Sequence, residues 1–66
     1  MPDGDVSDMG MALLRMLHRS AQGGPKPPSG ATFTDAYREL ESLGLAANGE
    51  ITLQGENLLY KRYANP

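Results

Sequence analysis

From Asp8 to about Ala21 the apolar positions Met9, Leu13, Met16 and Leu17 recur three and four residues apart, with Ser20 completing the stripe, while Arg15, His18, Arg19 and Gln22 fall on the other side. That spacing predicts an amphipathic first helix. Met11 and Leu14 widen its apolar face, so the helix is expected to meet more than one neighbour. The lead-in, MPDGDVS, reads as a flexible segment over residues 1–7 that ends in a cap, either Asp5 or Ser7. Asp8 in the first turn suits the positive end of the helix dipole. Residues 22–31, QGGPKPPSGA, are a loop, because three prolines remove amide donors and restrict the residues before them. The next stretch, ATFTDAYRELESLGL, offers Thr32 and Thr34 as competing N-caps. Phe33, Ala36, Tyr37, Leu40 and Leu43 share the apolar face of this second helix. Gly44 then falls at the residue after the C-cap, which pairs Leu40 with Leu45 across a Schellman ending.

Asn48-Gly49 follows, between two short stretches compatible with β structure. Both residues tolerate the positive φ of a type I′ turn, so a two-residue hairpin is predicted. Its register pairs Ala47 with Glu50, Ala46 with Ile51 and Leu45 with Thr52. A hairpin this short must lean on the helices. The last helix runs from Leu53 to about Tyr63, capped by Thr52, with Leu58, Leu59 and Tyr63 facing inward and residues 64–66 frayed. The expectation is one α+β domain over residues 8–63, mostly α, with about three helices and one hairpin.

Composition bounds this picture more than it changes it. With 66 residues, 39% of them hydrophobic, one domain is the ceiling. The absence of Cys removes a disulfide framework and a thiolate zinc site. Met11 to Leu14, the longest apolar run, is too short to span a bilayer, and a cytoplasmic protein without membrane contact is expected. The net charge of −2 argues against a general coat for nucleic acid, yet its distribution is uneven. No acid occurs between Asp8 and Asp35, a span that holds Arg15, His18, Arg19 and Lys26. From Asp35 to Glu56 the balance reverses, and Lys61 and Arg62 then close the chain.

Leu40-Glu41-Ser42-Leu43-Gly44-Leu45, a short hairpin, and then Ile51-Thr52-Leu53-Gln54-Gly55 before Leu58-Leu59 make a recognisable order. Over residues 33–63 it resembles the second half of a winged-helix domain of the PadR-like and MarR-like kind. The resemblance implies a winged-helix-like fold, a role in DNA binding and transcription regulation, and a recognition helix at Thr34 to Leu43. Two departures stand beside it. GGPKPPSGA occupies the place of the preceding helix, truncating the helix-turn-helix, and the hairpin bears Glu50 where wings are longer and basic. The outward residues Thr34, Asp35, Arg38, Glu39, Glu41 and Ser42 are net acidic, which opposes insertion into a major groove.

The candidate phosphate contacts are therefore Arg15, His18 and Arg19 on the first helix, Lys26 in the loop, Arg38 on the second helix, and Lys61 with Arg62. The bland alternative for the first three is a solvated helix face. Tyr37, Tyr60 and Tyr63 have rings to offer to the bases of a single strand, but the alternative reading puts Tyr37 and Tyr63 in the core with wet hydroxyls and leaves Tyr60 as the one expected at the surface. A rival function is a protein-interaction module, an inhibitor or adaptor, meeting its partner through an exposed Met11 and Leu14 edge and the acidic face Asp35, Glu39 and Glu41. The same edge suggests a homodimer through the first helix. No catalytic set, cofactor loop or metal site is indicated: an EF-hand starting at Asp3 would need Gly and Glu where Asp8 and Leu14 stand.

Overall fold

The computed structural model describes residues 6–28 and 30–64. Three helices, α1 (Asp8–Ala21), α2 (Thr34–Ser42) and α3 (Leu53–Leu59), surround one antiparallel hairpin of β1 (Ala46–Ala47) and β2 (Glu50–Ile51). A 3-10 turn, Ala31–Phe33, precedes α2, and a π-helical turn, Tyr60–Ala64, continues α3. The fold is α+β and mostly helical.

Helix α1 begins at Ser7, whose hydroxyl accepts from the Gly10 amide at 3.1 Å. A capping box would complete this arrangement with a Glu or Gln at Gly10, reaching back to the Ser7 amide. Here the reciprocal acceptor comes from α2. Glu39 accepts from the Ser7 amide at 2.9 Å through Oε2 and from the Ser7 hydroxyl at 2.6 Å through Oε1. Gly10 makes room for it: a Cβ there would lie 2.5 Å from Glu39 Oε1. Val6 and Met11 hold the two positions of a hydrophobic staple around this cap, and both are buried. The flexible lead-in predicted through residue 7 therefore shortens, with Val6 in the core and residues 1–5 outside the described residues.

Gly10 also explains why the buried stripe of α1 is rotated from the predicted one. Its buried members are Gly10, Met11, Leu13, Leu14 and Leu17, whereas Met9 is 46% exposed and Met16 is half-buried. A side chain of zero size lets α2 approach on that flank, and Met11 and Leu14 are carried inside. The exposed edge predicted at these two residues is absent: Met11 is 4% and Leu14 0% exposed, so neither offers a surface to a partner or a second copy.

Two Schellman endings stop the helices. At α2 the Leu45 amide donates to Leu40 O at 2.8 Å and the Gly44 amide to Glu41 O at 3.1 Å, with Gly44 at φ 77°. Leu40 and Leu45 are both buried, as the motif requires. Leu43 departs from its expected inward place and is 44% exposed. The helix ends one residue before it, and the reversal at Gly44 puts Leu45 into the space beside Leu40 instead. At α1 the same bonds recur, from the Gly24 amide to Arg19 O at 3.0 Å and from the Gly23 amide to Ser20 O at 3.1 Å. Neither Thr32 nor Thr34 caps α2; Phe33 holds that position, without a side-chain cap bond, and the Thr34 hydroxyl donates to Gly30 O at 3.3 Å.

The hairpin register is Ala46 opposite Ile51 and Ala47 opposite Glu50, as predicted. Asn48 and Gly49 both take positive φ, 55° and 80°, matching the turn chemistry. Thr52 joins three elements. Its amide donates to Leu45 O at 3.0 Å, and its hydroxyl donates to Gly44 O at 2.7 Å while accepting from the Gly55 amide at 3.2 Å. Gly55 is buried where α3 crosses the hairpin: a Cβ there would collide with the Leu45 carbonyl oxygen and lie 2.8 Å from Ile51 Cγ1. Leu58 and Leu59 face inward as expected. The side chain of Tyr63, predicted inward, lies outside the described residues. Tyr37 is half-buried against the core and its hydroxyl donates to Pro28 O at 2.7 Å. Burial raises its pKa above the ordinary 10.0.

Candidate nucleic-acid interface

Positions 12, 15, 16 and 19 repeat at helical spacing, so α1 has a second stripe beside its buried one. Across from it stand Leu59, the last residue of α3, and Tyr60, the first of the terminal turn. Between them runs an open groove of about 540 Å³, lined by Ala12, Arg15, Met16, His18, Arg19, Gln22, Leu59 and Tyr60. Its apolar surface comes from Ala12, Met16 and Leu59. Arg15 and Arg19 stand one helical turn apart, and among the described residues no carboxylate lines the groove.

Tyr60 is fixed at the groove's rim by His18. The two ring centroids are 5.9 Å apart with planes at 87°, an edge-to-face contact. Even so, Tyr60 is 51% exposed. His18 and Arg19 lie in the last turn of α1, where cationic side chains complement the negative end of the dipole. The carbonyls of Arg19 and Ser20 are already taken by the amides of Gln22, Gly23 and Gly24, which leaves less uncompensated negative charge at that helix end.

The structure thus brings together Arg15, His18 and Arg19, three of the seven residues expected to contact phosphate. Lys26 is exposed in the loop and Arg38 is exposed on α2, and neither lines the groove. Lys61 borders a second groove of about 330 Å³, with Val6, Leu43, Leu45, Gln54, Asn57 and Leu58. Successive residues of a helical turn point in different directions, and Tyr60 and Lys61 serve different surfaces. Arg62 is exposed on the terminal turn and lines neither groove.

Of the residues expected to meet a protein partner, Met11 and Leu14 are core, and Glu39 is engaged by Ser7. Asp35 and Glu41 remain exposed on α2. The groove also uses Met16 and Gln22, which carry no charge and so do not stand out in the charge pattern. Their signal is the helical spacing that places Met16 beside Arg15 and Arg19.

Chemically, the groove offers guanidinium groups for an anion, an aromatic ring at the rim and an apolar floor. Among the described residues no group of three or more His, Asp or Glu is placed to hold a metal ion, and no helix is long and apolar enough to cross a membrane. No known protein family, curated protein or solved structure matches the chain.

Proposed function

We propose that this chain is a small, non-enzymatic, cytoplasmic DNA-associated protein of winged-helix-like architecture, acting in transcription or DNA transactions, that meets phosphate through the α1 groove rather than through α2. The observation that supports this reading most is the convergence of Arg15, His18 and Arg19 on one groove, which no acidic side chain among the described residues lines. The exposed face of α2 argues against conventional major-groove reading, since Asp35 and Glu41 outnumber Arg38 there. Fluorescence anisotropy with a labelled duplex across a range of salt tests the proposal. Affinity is expected to fall with salt, and the slope of log affinity on log salt to shrink by about 0.9 for each phosphate that Arg15→Ala or Arg19→Ala leaves without its cation. Arg38→Ala is expected to leave the slope unchanged. Binding of neither duplex nor single-stranded DNA at low salt refutes the proposal.

A second reading, a protein-interaction module, draws on the other groove. Leu43 is 44% exposed beside Val6, Leu45 and Leu58, on the side where α2 ends. If that surface is the functional one, Leu43→Ser weakens partner capture and leaves the salt dependence of DNA binding as it was.

A further inference from the structure

We infer that the groove between α1 and the terminal turn accommodates a single strand of nucleic acid, with one base stacked on Tyr60 and the adjoining phosphates against Arg15 and Arg19. This rests on the phosphate-binding reading above and specifies the form of the ligand. Phe33 and Tyr37 pack against the core, whereas Tyr60 is about half exposed at the groove's rim. Its contact with His18 is perpendicular, which steadies the ring without closing both of its faces to a stacking partner. Beneath the rim, Met16 and Leu59 give an apolar floor on which an unpaired base sheds its water at little cost.

Arg15 and Arg19 are four residues apart, a rise of about 6 Å along α1. They therefore present charge to successive phosphates of a strand that follows the helix. A duplex is a stiff cylinder that needs a broad cationic face. The remaining cations do not supply one on this side, because Arg38 stands among the exposed acids Asp35 and Glu41, Lys26 lies in the loop, Lys61 borders the second groove and Arg62 lines neither groove. In a paired duplex the bases are also stacked on each other and give Tyr60 no free face. Single-strand binders combine a cationic groove with aromatic platforms in this way, and tolerate any base because every base has a π-face.

Anisotropy titrations of the full chain at low salt, with a labelled twelve-nucleotide oligothymidylate and with a duplex of equal length, test the inference. The single strand is expected to bind more tightly than the duplex. Tyr60→Ala is expected to weaken it by about 5- to 150-fold, the range expected for removing one base stack. Tyr60→Phe keeps the ring and keeps most of the affinity, and duplex binding is indifferent to either change. If the Ala variant folds poorly, the Tyr60 ring protons of the native chain provide the readout: stacking shifts them upfield when oligothymidylate is added. Equal or tighter duplex binding, or single-strand binding with no effect at Tyr60 and unmoved ring resonances, overturns this inference and leaves the phosphate-binding proposal standing. Binding of neither probe overturns both.

Discussion

Gly10 and Glu39 form a pair whose energetics reverse sign according to context. In the native chain, adding a methyl group at Gly10 places it 2.5 Å from Glu39 Oε1 and 3.0 Å from Val6 Cγ1. The carboxylate is the flexible end of its side chain, so it swings away and abandons the bonds to Ser7 at 2.6 and 2.9 Å. Hydrogen bonds to a charged group contribute about 1.5–3 kcal/mol, and exposure of this pair sets its combined worth at about the lower figure. Against that loss, Ala is favoured over Gly inside a helix by about 1 kcal/mol. Gly10→Ala is thus expected to destabilise the native chain by about 0.5 kcal/mol, and Glu39→Ala by about 1.5 kcal/mol. In the Glu39→Ala background the same glycine replacement meets no carboxylate and stabilises by about 1 kcal/mol, a coupling of about 1.5 kcal/mol. Urea unfolding followed by circular dichroism measures all four chains, provided the m-value stays constant. In thermal scans each kcal/mol corresponds to about 4–8 °C for a domain of this size. Equal stabilisation by Gly10→Ala in both backgrounds, or a silent Glu39→Ala, would show that α1 is not capped from α2.

Gly55→Ala is expected to destabilise by about 1–3 kcal/mol despite the helix preference of Ala, because the added carbon meets the Leu45 backbone rather than a movable side-chain tip; thermal unfolding reads it. Thr52→Ala removes the cap of α3 and the bond to Gly44 O, at a cost of about 0.5–2 kcal/mol, while Thr52→Ser retains most of that stability in the same urea assay. For Tyr37 the raised pKa means that the unfolded chain releases the phenolic proton first, near the ordinary 10.0. Its contribution is therefore fully present below pH 10.0 and is lost as pH rises through the higher folded value. Stability measured across that window should decline more steeply in the native chain than in Tyr37→Phe; parallel declines refute the assignment.

Local chemistry makes much of the fold legible. Asn48-Gly49 sets the hairpin register, and Gly44 with its flanking leucines sets the end of α2, because each motif depends on residues a few positions apart. Burial on α1 is harder to read. A hydropathy pattern counts Gly10 as no contribution, yet its missing side chain brings in Glu39, whose partner Ser7 is 32 residues away. That approach rotates the buried stripe and takes Met11 and Leu14 inside. The candidate site divides along the same line. Arg15, His18 and Arg19 are visible in the sequence as one helix flank, but the position of Tyr60 against His18 depends on how α3 packs, and the separation of Lys61 from that flank depends on the phase of the terminal turn.

Tyr37 binds Pro28 O at one end of the Pro/Gly loop, and the Gly24 amide binds Arg19 O at the other. Between these tethers only Pro25, Lys26 and Pro27 remain, all without a backbone role in a helix or strand. The connection is therefore a strap fastened at both ends, and its exposed midpoint at Lys26 is the natural place to lengthen the chain or graft a peptide. Closure entropy grows only slowly with length, by about 0.6 kcal/mol per doubling, so an insertion there leaves both fastenings intact and the two helices in their relative places.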